Sequence, residues 1–375
     1  MRYHSAGPLA TLNRFILSIV SLVTLPLSPL GGERGNPLVS EVPGTQSAFG
    51  PSAVYFNQKV YLGWRGVGSP HSSRDDQSLS LRTLSAEGWG QPWSLSRESM
   101  FGPVLAASEE RLYVAWHGEG NLFTGTGDGR LHLAYLDSLN QIHSLGEVPG
   151  AISAGPPGLA VYEGLVYVGW RSAGNITLGM VPGNQHWINY MVYDPEAEAW
   201  LDTTQKGGNI VHANGTSGPI FAVVGRSLYG LWRGTGSMTF YGPNSAPGDP
   251  SIYFGWLDHD EWSTSQLPLP TIPGASTAWS PGAVEWKEKL LVGWRGDQAR
   301  GEKPEDPTLS FALYQGHERW ETLELFGQSK PESAFAPAMT VDRGTGRLWV
   351  FWRGVLNSEE KIDNQQIYTA SFADF

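Results

Sequence analysis

Arginine or histidine follows tryptophan at six places in this chain: Arg65, His117, Arg171, Arg233, Arg295 and Arg353. A guanidinium can hold an oxygen with two parallel N–H groups, and an imidazole can give or take a proton near neutral pH. An acidic or amide residue recurs downstream of each, at Asp76, Asp128, Asn184, Asp249, Asp306 and Asp363. Repetition of the pair favours an Arg–Asp bridge closing one loop per repeat, since a bridge is needed everywhere and a ligand contact only once. A ligand would then be met by the copies that depart from the pattern, His117 and the Arg171–Asn184 combination. His117, Arg171 and Arg233 are the candidates for a catalytic or oxygen-holding role.

Aromatic residues form a second set. Prolines 51, 103, 156, 219, 281 and 337 are preceded two positions earlier by Phe49, Phe101, Ala154, Ser217, Trp279 and Phe335, four rings and two small side chains. A ring of such positions is lopsided. The segment TGSMTFYGPNSAPGD after Trp232 adds Met238, Phe240 and Tyr241, and His186 and Trp187 stand in the matching stretch one repeat earlier. Loop aromatics without a periodic strand role can wall a ligand or fold down as a plug, and sequence leaves both open.

The elements that must position these residues are written in the same repeat. Six apolar strands end in tryptophan: YLGWRG, YVAWHG, YVGWRS, YGLWRG, LVGWRG and FWRG. Trp64, Trp116, Trp170, Trp232, Trp294 and Trp352 lie 52, 54, 62, 62 and 58 residues apart, about one four-stranded sheet with its loops. Before each comes a short strand opening on Gly-Pro or a variant, then a tight turn such as Asn57-Gln58; proline, lacking an N–H, suits a strand's first residues. Third strands are expected at 78–84, 131–136, 188–193, 252–257, 309–314 and 367–372, with fourth strands beginning at Trp93, Trp200, Trp262 and Trp320. The expected fold is all-β, a six-bladed propeller of four-stranded antiparallel blades over residues 36–375. The sixth repeat stops after its third strand, and residues 38–44, LVSEVPG, echo LGEVPG at 145–150. An N-terminal strand is therefore expected to complete the last blade and remove its open edge. The tryptophans are expected to pack between blades.

The chain has 375 residues, 40% hydrophobic and 16% charged, enough for a large core. Its net charge of -11 opposes nucleic acid and anionic membrane. With no cysteine there are no disulfides and no thiolate nucleophile or ligand. Arg2, His4 and Arg14 precede the apolar run Phe15 to Leu25, interrupted by Pro26, which is signal-peptide-like and too short for a membrane span of about 20 residues. Residues 1–30 are thus expected to be a leader, placing the protein in the secretory pathway or outside the cell without a stable span in the mature chain. The sequons at Asn175 and Asn214 agree with that, on the same face as the expected pocket. No Gly-x-Ser-x-Gly elbow, His-Glu-x-x-His, phosphate loop or dinucleotide fingerprint occurs, and the nine histidines show no metal-ligand spacing. An enzyme here is expected to use no metal or other cofactor and to rely on shape, hydrogen bonding and one acid or base.

The repeat resembles the fucose-binding lectin propellers of fungi and bacteria and, in organisation, sialidase-like propellers. Against the latter, the turns DPEAEAW, DHDEW and GHERW lack a Ser-x-Asp-x-Gly-x-x-Trp box. Against a multivalent lectin, the six loops after tryptophan differ in length and chemistry, whereas multivalency needs the same contacts in every blade. The repeat, leader, sequons and one aromatic-rimmed pocket together resemble the fungal hetero-Diels-Alderases of tropolone–sesquiterpenoid biosynthesis, a secondary-metabolite pathway. That resemblance implies dehydration of a hydroxymethyl tropolone to an o-quinone methide and its cycloaddition to a humulene-type alkene. Phe49, Phe101, Trp279, Phe335, Phe240 and Tyr241 would hold the apolar partners, and an arginine or His117 the tropolone oxygens. The implied partners are small apolar or aromatic molecules; the alternative is a secreted fucose-type lectin without catalysis, whose partners are glycans.

Overall fold

The computed structural model describes residues 37–68, 76–121, 126–127, 129–172, 186–202, 207–235, 249–258, 260–265, 267–296, 306–357 and 362–373. The local rules operate from the first hairpin. Asn57 and Gln58 both have positive φ, 45° and 60°, the type I′ turn whose twist matches the strands it joins. Ser52–Phe56 therefore pairs back onto Lys59–Arg65 in the register Ser52 to Gly63 and Phe56 to Lys59. Lys59–Arg65 pairs with Ser78–Ser85, setting Arg65 opposite Leu79, and the outer strand Trp93–Glu98 follows. Lys287 and Glu288 repeat the turn in the fifth blade.

The same four-strand path recurs six times, so the fold is a six-bladed antiparallel β-propeller. The first strands, Ser52–Phe56, Val104–Ala107, Gly158–Tyr162, Ile220–Val224, Gly282–Trp286 and Ala338–Asp342, each touch the next, and the last touches the first. Blade three splits its outer strand into Ala199–Trp200 and Gly207–Asn214; blade four has, among the described residues, Glu261–Trp262 and a bridge from Tyr253 to Thr271.

The last blade is completed from the other end of the chain. Ser40–Gln46 pairs antiparallel with Gln366–Phe372, Ser40 facing Thr369, and buries Val42 completely. The echo between 38–44 and 145–150 extends to the backbone: Gly44 and Gly150 have φ of 64° and 68°, which glycine adopts without a Cβ clash. Arg82 of blade one donates to Gly90 O and Pro43 O, tying the closing strand to its neighbour.

The core lies between the blades. Each of the six strand-ending tryptophans is buried in a different cluster, Trp64 with Val42 and Phe351, Trp116 with Leu79 and Leu105, and so around the ring. The glycine after arginine has its own reason. A Cβ on Gly66 would stand 2.3 Å from the Asp76 carboxyl carbon, and Gly234, Gly296 and Gly354 are similarly crowded by Asp249, Asp306 and Asn364. Among the described residues no helix is long and apolar enough to cross a membrane.

Candidate functional site

The arginines and His117 act first on the neighbouring blade. Arg65, Arg233, Arg295 and Arg353 donate from Nε to Ser99 O, Thr277 O, Ser333 O and Ser47 O at 2.8, 2.6, 2.9 and 2.8 Å. Arg171 reaches Thr216 O from Nη1 at 3.1 Å, and His117 Nε2 lies 3.0 Å from Ser153 O. Every acceptor is the serine or threonine that opens the entry to the following blade. His117 is 1% exposed, and its other nitrogen lies 2.9 Å from Gly118 O, so both ring nitrogens face carbonyls.

The same serine or threonine then fixes the rim. Its hydroxyl accepts the main-chain N–H two residues on: Phe49 from Ser47, Phe101 from Ser99, Gly155 from Ser153, Trp279 from Thr277 and Phe335 from Ser333, at 3.2–3.3 Å. Three clamp side chains also back the rings. The Arg65 guanidinium is 5.4 Å from the Phe49 centroid, Arg353 is 5.7 Å from Phe335, and His117 meets Phe101 edge-on at 5.2 Å.

The rings join into an arc around one side of the channel mouth. Centroids are 5.4 Å apart for Phe101–Phe49, 5.4 Å for Phe49–Phe335 and 5.1 Å for Phe335–Trp279, tilted or edge-to-face. Trp279, at the end of the arc, is 37% exposed. Facing the arc are Gly155, Ser217 and Ser280, and the cavity enclosed is about 320 Å³. None of its described lining side chains is acidic, basic or a phenol. The opposite wall is close-packed: a Cβ on Gly218 would fall 1.9 Å from Pro156 O.

Several sequence expectations change in detail. Gly158 pairs with Gly169 as Ser52 pairs with Gly63, so Pro157, not Pro156, matches Pro51, and the ring position of blade three is Gly155 rather than Ala154. In blade six, Asn364 takes the place assigned to Asp363, accepting Gln366 N as Asp76 accepts Ser78 N. His117, Arg171 and Arg233 do not line the cavity; each reaches across to the entry segment of the next blade. Trp187 begins the third strand of blade three, 46% exposed and opposite Asn214, away from the cavity lining. Phe49, Phe101, Trp279 and Phe335 are brought together, whereas Met238, Phe240, Tyr241, Asn175, Asp128 and Asn184 lie outside the described residues.

Blades three and four carry the electrostatic departures. Arg171 Nη2 lies 2.7 Å from His186 Nδ1, and burial together with that positive charge holds the imidazole below its ordinary range. In blade four, Tyr253 donates to Asp249 at 2.5 Å. Burial and this bond push the phenol up to about 12. Burial opposes ionisation of Asp249, but the bonds from Tyr253 and Ser251 and the charge of Arg233 outweigh it, so the carboxyl sits below its usual range. Asp249 and Tyr253 border a second groove of about 660 Å³, lined also by His212, Asn214 and Leu267.

Fold and cavity together define a six-bladed propeller with an asymmetrically walled channel mouth. No protein-family model matches the chain, and no curated protein does. Solved structures do, at the level of fold. The SapL1 lectin in complex with alpha methyl fucoside superposes with TM-score 0.53 at 14% identity, over 81% of this chain and 89% of its own. YjhT gives 0.53 at 13% identity over 88% and 95%. A fungal alcohol oxidase of the AA5 family in complex with copper gives 0.51 at 11% identity over 91% and 76%. The fold is thus shared with a lectin and with an enzyme, and the chemistry must be argued from the site.

Proposed function

We propose that this chain holds two apolar partners together at the channel mouth and is a cofactor-free pericyclase of the hetero-Diels–Alder type, acting on a tropolone-derived o-quinone methide and a humulene-type alkene. The observation that carries this is the arc of four rings opposite a wall of small residues, without a titratable side chain among the described lining. A [4+2] cycloaddition turns three π bonds into two σ bonds and one π bond, and no proton enters or leaves. Its acceleration needs two partners held at contact distance in one orientation, which a rigid apolar wall supplies. Dehydration to the heterodiene is a separate step for which this wall offers no acid or base.

The test is turnover of the two partners by the purified chain against the uncatalysed background, with Phe335→Ala alongside. Phe335 touches both neighbouring rings, so its removal should lower rate and stereoselectivity together. A product ratio equal to background for the unaltered protein would sink the proposal.

A second reading rests on the groove between blades three and four. Asp249, Tyr253, His212 and Asn214 place a carboxylate, an aromatic face and an amide around one depression, a composition suited to a sugar's hydroxyls and apolar face. The lectin alternative belongs there. Calorimetry with alpha methyl fucoside separates the two, since saturable binding abolished by Asp249→Ala favours the lectin.

A further inference from the structure

The channel mouth has one polar edge, and its hydrogen-bonding sense can be read. Ser52 Oγ accepts Leu105 N, and Thr216 Oγ1 donates to Gly234 O while accepting from Arg233. Ser217 and Ser280 remain. Their hydroxyl oxygens are 2.6 Å apart, and Ser280 Oγ also bonds Gly218 O. A carbonyl can only accept and a serine has one proton, so Ser280 donates to Gly218 and Ser217 donates to Ser280. The Ser217 proton is thereby used and its lone pairs remain.

Several other possible donors of the wall are absent or already taken. Pro51, Pro103, Pro157, Pro219, Pro281 and Pro337 have no N–H, and the ring-position N–H groups of five blades are held by the entry serines and threonine.

Resting on the channel-mouth reading above, we infer that Ser217 is a specificity-determining residue and that the preferred ligand is a flat apolar molecule carrying a hydroxyl donor at one edge. That edge points at blade four, with the rings of blades five, six, one and two against the opposite side. An ether or bare hydrocarbon of the same shape fills the arc and leaves the Ser217 lone pairs unmet.

The experiment uses the full chain and three probes: 2-naphthol, 2-methoxynaphthalene and naphthalene, titrated by tryptophan fluorescence with calorimetric confirmation. 2-Naphthol should bind about three- to tenfold more tightly than its methyl ether, the range of one net hydrogen bond. Ser217→Ala should bring the two within about twofold while leaving naphthalene unchanged. Ser280→Ala releases the Ser217 proton and should shift preference towards the ether. Equal affinities in the unaltered protein, or a preference retained in Ser217→Ala, overturn the inference and leave the cavity reading standing. Failure of all three probes to bind overturns both.

Discussion

Replacing Arg65 with methionine tests whether the repeated Trp-Arg-Gly element is a clamp between blades. Arg65 is fully buried, donates to Ser99 O at 2.8 Å and lies 5.4 Å over Phe49. A hydrogen bond from a charged donor contributes about 1.5–3 kcal/mol and the cation–π contact about 0.5–1 kcal/mol. Methionine keeps much of the packing and removes a buried charge that is costly to desolvate, which offsets part of the loss. The net is about 2 kcal/mol. Unfolding entropy near 2.1 cal/mol/K per residue over about 340 residues makes that a fall of roughly 3 °C in midpoint. Differential scanning calorimetry reads it directly. Arg97→Met is the comparison, since half-buried Arg97 makes only an exposed bond to its neighbour Ser96 O among the described contacts and its loss should cost under about 0.5 kcal/mol. Because Arg65 backs Phe49, the clamp variant should also weaken naphthalene binding at the channel mouth. A midpoint no lower than that of Arg97→Met would refute the clamp.

Two further outcomes follow from the same contacts. Val42→Asp puts a charge into a fully buried position of the closing strand and should lower the urea midpoint well beyond a change at exposed Leu38; equal effects would mean that the strand adds little to stability. His186, held low by burial and Arg171, contributes its full stability above the unfolded imidazole value of about 6.5 and loses it as pH falls towards the folded value, because the unfolded chain then binds more protons. Urea melts at pH 8 and pH 5 should show a smaller acid loss in His186→Gln than in the unaltered chain, and identical losses would remove His186 from the account.

The ring was legible because period and chemistry coincide: tryptophan stands near the end of the second strand of each blade, and the Val-Pro-Gly echo marks the closing strand through a glycine with positive φ. The four rim rings were legible for the same reason. That the arginines and His117 also reach a carbonyl of the next blade was not, since a main-chain carbonyl leaves no mark in sequence. The available mark was the serine or threonine four residues before proline, as Ser47, Ser99, Ser153, Thr277 and Ser333, once Pro157 replaces Pro156 in the count. The Asp363 assignment slipped because adjacent Asp363 and Asn364 both fit the pattern and only the turn onto Gln366 N distinguishes them. Loop residues such as Phe240 have no period to fix them.

Strand closure also has a schedule. Ser40–Gln46 is made first and finds its partner only with Gln366–Phe372, 320 residues later by the count from 46 to 366. During synthesis its backbone edge waits without a ladder, and a pairing of such separation is among the slowest to form. The ring can lock only when the last strand has emerged, so a ribosome stalled before Gln366 would hold five and a half blades and an open seam. Cells making this protein have reason to shield residues 40–46 for as long as translation takes.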